Sequence, residues 1–160
     1  MEYVIRDARK EDMAQVLALV QELAHFEKEP DAVVISKEDL ERDGFGEQKQ
    51  FHCFVAEVGE EIVGIALVYP RYSTWKGPAI HLEDLIVAER MRGSGLGTAL
   101  LDKVITYGHD LGVRRIQWEV LDWNDPAIEF YEKKGAKVLR DWDVVQMDEQ
   151  GIKNYMESLN

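Results

Sequence analysis

The chain has one cysteine in 160 residues, Cys53, so no disulfide can form within it and a disulfide framework is excluded. No run of 18 apolar residues occurs, which excludes a membrane-spanning helix of ordinary length. Basic residues are scarce: 19 Lys and Arg stand against 31 Asp and Glu, a formal net charge of −12. A chain this negative is repelled by phosphate backbones and anionic lipid surfaces, so neither nucleic acid nor a membrane is an expected partner. A cationic small molecule is drawn towards it. The four histidines, His25, His52, His81 and His109, have no metal-ligand spacing, and no metal site is expected. There is no Pro/Gly/Ser-rich linker, repeat or low-complexity block, so one domain is expected over residues 1–160. The N-terminal MEYVIRDARKED has no apolar run behind a basic start and does not read as a signal peptide. With an unpaired thiol, a reducing cytoplasmic location is the expectation.

What is present is a regular alternation of strand and helix patterns. Tyr3 to Arg6 reads as a first strand. Met13, Val16, Leu17, Val20, Leu23 and Ala24 recur at spacings of three and four, which predicts an amphipathic helix. Ser36 and Asp39 form a capping pattern for a short helix ending near Gly44. FHCFVAEV (51–58) and IVGIALVY (62–69), joined through Gly59-Glu60-Glu61, predict a hairpin, and AIHLEDLIV (79–87) a further strand. A helix follows over 98–111, with Gly112 as its C-cap. Arg115 to Leu121 reads as a strand, and Asp125-Pro126 as the cap and first turn of a helix ending at Gly135. Val138 to Leu139 and Trp142 to Met147 read as closing strands, with a terminal helix after them. The order predicts an α/β sandwich containing antiparallel hairpins.

The chemically informative stretch is Arg90-Met91-Arg92-Gly93-Ser94-Gly95-Leu96-Gly97, placed after a strand and before a helix. Alternate glycines permit unusual dihedrals and close backbone approach, so several amides can point into one concavity at the positive end of the helix. That is a site for a pyrophosphate, with Arg90 and Arg92 adding charge-assisted contacts. The nucleoside-triphosphate loop requires a Lys that Gly97-Thr98 lacks, and the dinucleotide fingerprint belongs after the first strand of a βαβ unit, which this loop is not.

Arg90-x-x-Gly93-x-Gly95 resembles the Gln/Arg-x-x-Gly-x-Gly/Ala signature of the GNAT-type N-acyltransferases, and the resemblance runs along essentially the whole chain. DGFGE (43–47), FHCFVAEV (51–58), YSTWKG (72–77), HLEDLIV (81–87), RGSGLG (92–97), VLDWN (120–124) and FYEKKGA (130–136) resemble the spermidine/spermine, or diamine, acetyltransferases. FEK (26–28), STWKG and VLDWN look most like the branch that acts on thialysine and related small diamines. The fold implied is a single GNAT domain whose mixed, mostly antiparallel sheet carries helices on both faces.

The resemblance implies acetyl-CoA as donor. Its pyrophosphate would lie on the amides of Gly93, Ser94, Gly95, Leu96, Gly97 and Thr98, and its pantetheine arm along the backbone of Leu85, Ile86 and Val87 like an added strand. Asn124 and Pro126 would also contact it. Glu83 matches the family's general base, acting through water on an ammonium whose ordinary pKa resembles that of Lys, about 10.4. Tyr131 matches the tyrosine placed beside the thioester sulfur, as general acid. Phe26, Glu27, Glu83, Asp84 and Asp122 would line the acceptor site, and Trp75, Trp123 and Trp142 would wall it or make cation–π contacts. A homodimer is implied as well.

Read as bare residues, the same positions have ordinary explanations: Tyr131 as helix packing, Glu83 as an outward strand residue between Leu82 and Leu85, Glu27 as a solvated charge. Phe26 replaces the Tyr of the polyamine enzymes, and an acidic residue before Trp142 has no clear match, which favours a shorter amine. A protein N-acetyltransferase and a non-catalytic acyl-CoA-binding module are the alternative functions. Charge is unevenly spread, with nine acids against three bases in residues 21–47, and five bases against three acids in residues 89–115. That division suits a polyanionic donor and a cationic acceptor.

Overall fold

The structure is a computed structural model that describes residues 2–160. Two compact units make up the chain, Met1–Glu119 and Val120–Asn160. The first contains β1 (Val4–Asp7), α1 (Met13–Phe26), α2 (Lys37–Phe45), β2 (His52–Val58), β3 (Glu61–Ser73), β4 (Gly77–Val87), α3 (Leu96–Leu111) and β5 (Ile116–Gln117). The second contains α4 (Asp125–Lys133) and α5 (Glu149–Ser158).

The five strands lie in chain order, antiparallel from β1 to β4, with β5 parallel to β4. Side-chain alternation divides the sheet into two buried faces. Cys53, Val55, Ile65, Leu67 and Ile86 pack with Met13, Val16 and Leu19 of α1 and Leu40 of α2. On the other face the Phe54 ring meets Tyr107 of α3 edge-on, at 5.3 Å between centroids. α3 also closes onto Gly64: a Cβ there would stand 2.9 Å from Leu100 Cδ1, so only glycine allows that approach without a shift. The sheet is therefore covered by helices on both sides, as the sequence predicts.

Local signals act where expected. Ser36 Oγ accepts from the Asp39 amide at 3.1 Å while Asp39 Oδ2 accepts from the Ser36 amide at 2.9 Å, a reciprocal cap worth about 1 kcal/mol. Arg6 joins β1 to its surroundings through Asp12 (2.8 Å) and Glu57 (2.6 Å). Burial opposes the Asp12 charge, but Arg6 and the Arg9 amide hold its pKa below the usual carboxylate value. Cys53 is buried beneath α1, and that burial, with Asp12 and Asp84 nearby, pushes its thiol up to about 12, which leaves it inert as a nucleophile.

The chain from residue 115 onwards departs from expectation. The strand predicted over 115–121 is two residues long, and 138–139 and 142–147 form no strand. Alternating apolar residues specify a strand only when a neighbour completes the hydrogen-bond ladder, and the alternation at Trp142 and Val144 has none among the described residues. Trp142, Val144, Val145 and Met147 are exposed instead. The cap of α4 is Asn124, not Asp125: Asn124 Oδ1 accepts from the Ala127 amide at 3.4 Å, and Pro126 occupies the first turn. Ile128 is the buried hydrophobic residue of α4, and no residue of α5 is buried.

Candidate active site

The β4–α3 connection places the glycine motif. A short 3-10 turn over Glu89–Met91 leads to Gly93 (φ 79°) and Gly95 (φ 90°), both in the left-handed region. A Cβ at either position would meet nothing within 4 Å, so backbone conformation selects glycine there and the space above the loop is open. Gly95 is the N-cap of α3 and supplies no side-chain cap. Helix geometry leaves the first-turn amides of Leu96, Gly97 and Thr98 without intrahelical acceptors, at the positive end of a 16-residue helix. An open loop, uncapped amides and positive potential fit a pyrophosphate. The Ser94 hydroxyl and the Ser94 amide (3.3 Å) both donate to the Met91 carbonyl, so Ser94 would turn to a pyrophosphate only on giving up that partner. Both arginines have partners within the chain: Arg90 is ion-paired with Glu61, and the Arg92 guanidinium lies 5.1 Å from the ring centroid of Phe26. Arg92 thus links the cofactor loop to the end of α1, where the acceptor residues were expected.

β4 leaves an open edge beside this loop. β5 pairs with it only at Ile80↔Ile116 and His81↔Gln117, so Leu85, Ile86 and Val87 have β3 on one side and no strand on the other among the described residues. Their unpaired main-chain groups suit an extended ligand.

Acidic residues converge on the α1 face of the sheet. Register with β3 shifts between Leu67↔Asp84 and Val68↔Leu82, which leaves Glu83 as the extra residue of a β-bulge. In a regular strand Glu83 and Asp84 would point to opposite faces. The bulge cancels one alternation, so both carboxylates share the α1 face with His81. Glu27, the C-cap of α1, is close enough to act on Asp84 electrostatically. Burial, then Glu83, then Glu27 push Asp84 up to about 6. Burial also raises Glu27. Glu83 remains solvent-accessible, its side chain 52% exposed, with Oε1 3.8 Å from His81 Nε2. The result is a carboxylate trio with one solvent-exposed member and two members less solvated. Such a group attracts a dication.

The other expected residues lie in the second unit. Tyr131 is half-buried on α4, its ring 5.4 Å from that of Phe130. Asn124 is half-buried, while Asp122 and Pro126 are exposed. Of the tryptophans, Trp75, Trp123 and Trp142 are all exposed and none belongs to the core. Among the described residues no helix is long and apolar enough to cross a membrane.

The acetyltransferase (GNAT) family matches residues 14–136. The chain belongs to the GNAT acetyltransferase family. It is similar to thialysine N-epsilon-acetyltransferase of Bos taurus, 42% identical over 144 residues and 85% of each chain. The enzyme of the same description from Caenorhabditis elegans is 37% identical over 146 residues, covering 89% of this chain and 90% of that one. Among solved structures, an integron cassette protein from the mobile metagenome of V. cholerae superposes with a TM-score of 0.80 at 21% identity, over 98% of this chain and 99% of that one, a likeness of fold. As a GNAT member the protein is an acetyltransferase, and acetyl-CoA is the donor used across that family.

The GNAT motif was readable because its geometry is local. Two neighbours of Glu83 were not singled out: Tyr69, which hydrogen-bonds to its carboxylate, and His81. The available signal was polar residues at alternate positions, Tyr69-x-Arg71 and His81-x-Glu83, within otherwise apolar strands.

Proposed function

We propose that the protein transfers the acetyl group of acetyl-CoA to a primary amine of a small acceptor that carries two ammonium groups, of the thialysine or short-diamine class. The convergence of Glu27, Glu83 and Asp84 on one face of the sheet carries this reading, and the relatives named for thialysine support it. The amides of Gly93 to Thr98, with Arg90 and Arg92, hold the pyrophosphate, and the main chain of Leu85 to Val87 holds the pantetheine arm. Asn124 and Pro126 contact the same ligand. When bound, acetyl-CoA supplies a thioester at the open edge of β4. An ammonium has no lone pair, so Glu83 accepts its proton through water before attack, and exposure lets that proton pass to solvent. Tyr131 holds a proton at the departing sulfur. Glu27 and Asp84 bind the second ammonium, and Asp122 extends the acidic lining. Phe26 offers no hydroxyl, which fits a short acceptor better than a long polyamine.

The working form on this reading is a cytoplasmic homodimer. Leu139, Trp142, Val145, Tyr155 and Leu159, exposed in the second unit, are the apolar surface such an assembly would cover, and light scattering should return twice the 18.4 kDa chain mass. The decisive assay offers labelled acetyl-CoA with thialysine, ornithine, short diamines, spermidine and an amino-terminal peptide. Thialysine and short diamines should be acetylated fastest. Acetylation of the peptide alone would overturn the acceptor class, and no transfer to any of them would overturn catalysis of this kind.

A further inference from the structure

A row of polar side chains on β3 and β4 stands beside the carboxylate trio. Tyr69 and His81 are register partners, with ring centroids 5.0 Å apart. Two residues from Tyr69, Arg71 brings Nη1 to 3.5 Å from His81 Nδ1. Two residues from His81, Glu83 brings Oε1 to 3.8 Å from the opposite ring nitrogen, Nε2. The Tyr69 phenol hydrogen-bonds to the same carboxylate. His81 is 6% exposed, so the ring is fixed by its surroundings.

The donors assign themselves. A guanidinium cannot accept a hydrogen bond, so the ring nitrogen facing Arg71 presents its lone pair, and the ring proton lies on Nε2, towards Glu83. A carboxylate has no proton to give, so the Tyr69 hydroxyl donates to it, while His81 Nε2 faces it at 3.8 Å, beyond hydrogen-bond distance. Burial, and then the nearby Glu83 charge, raise the Tyr69 pKa and keep its hydroxyl protonated, with Arg71 opposing and Glu119 adding to that effect.

We infer that Tyr69 and His81 are positioning residues that orient the Glu83 carboxylate for removal of the acceptor's proton. The inference rests on Glu83 as general base. A bulge residue lacks the regular ladder that fixes its neighbours, and an exposed glutamate otherwise samples several rotamers. The Tyr69 hydroxyl and the His81 ring edge on one side select one orientation and leave the remaining lone pairs for the attacking amine or its water. The proton taken by Glu83 leaves through solvent.

The test compares steady-state acetylation, with acetyl-CoA and the best amine of the panel, across Tyr69→Phe, His81→Leu, His81→Gln and Glu83→Gln. Tyr69→Phe and His81→Leu should each lower kcat about tenfold with the KM for acetyl-CoA unchanged. His81→Gln, whose amide reaches the position of Nε2–H, should recover most of that loss. In the Glu83→Gln background Tyr69→Phe should cost nothing further. If Glu83→Gln is slow while Tyr69→Phe and His81→Leu stay within twofold of wild type, the positioning role is overturned and the base survives. If Glu83→Gln runs at the wild-type rate, the base itself is wrong. A raised amine KM at unchanged kcat would assign the pair to acceptor binding and overturn the inference. Tyr69→Phe removes a single oxygen, so it decides the question even where thermal melting shows His81→Leu to be unfolded.

Discussion

On the proposed function the glycine loop from Gly93 to Thr98 recognises its ligand with main-chain amides, whereas the acidic floor uses side chains delivered by α1 and β4. The loop tolerates many side chains and few backbone conformations. The floor tolerates ordinary strand and helix geometry but depends on individual carboxylate oxygens. A change in the loop should therefore appear as lost donor affinity, and a change in the floor as lost chemistry or acceptor capture.

The largest effect separating the two belongs to Glu83→Gln. Removing the proposed base should lower kcat roughly 10²- to 10⁴-fold while calorimetry shows acetyl-CoA binding unchanged. Weakened acetyl-CoA binding would break the separation. Next comes Gly95→Val. A β-branched residue at φ 90° is strained by roughly 1–3 kcal/mol, which predicts acetyl-CoA binding weaker by about tenfold or more, with kcat at saturating donor far less affected.

The smallest effect is a pH dependence at Asp84, whose pKa in the fold, about 6, lies above its ordinary 3.8. The fold favours the protonated form, so this contribution to stability is fully present below the ordinary value and is lost as pH rises through about 6. Asp84→Asn should flatten that decline and leave the variant more stable than wild type at pH 8, by on the order of 1–2 kcal/mol after allowing for partial solvation. Denaturant melts at pH 4.5 and pH 8 test this. In the wild type, a diamine should raise Tm more at pH 8 than at pH 4.5, because the ionised carboxylate is the one that holds it. A Tm increase independent of pH would remove Asp84 from the acceptor site.

The same contrast explains what the sequence reveals. The glycine loop, the Ser36 cap and the helix faces are legible because each depends on a few consecutive residues. The floor is only half legible. Resemblance names Glu27, Glu83 and Asp84, yet strict alternation puts Glu83 and Asp84 on opposite faces. Their common face comes from the register with β3, a pairing between separate segments. The alternation of Trp142 and Val144 misleads for the same reason, since a ladder needs a partner that local pattern does not specify. The motif places Arg90 and Arg92 beside the loop, but it does not reveal that side-chain reach also brings Arg90 to Glu61 and Arg92 over the Phe26 ring.

The bulge on β4 also bears on how the enzyme can change. Glu83 is supernumerary to the ladder: Leu82 and Asp84 pair with consecutive residues of β3 whether or not a carboxylate stands between them. With Glu83 as the proposed base, chemistry and architecture are uncoupled at this residue, and replacing it should cost activity without disturbing the sheet. A lineage could explore new proton acceptors at that position, or abandon catalysis and keep a donor-binding shell, without rebuilding the surrounding strands.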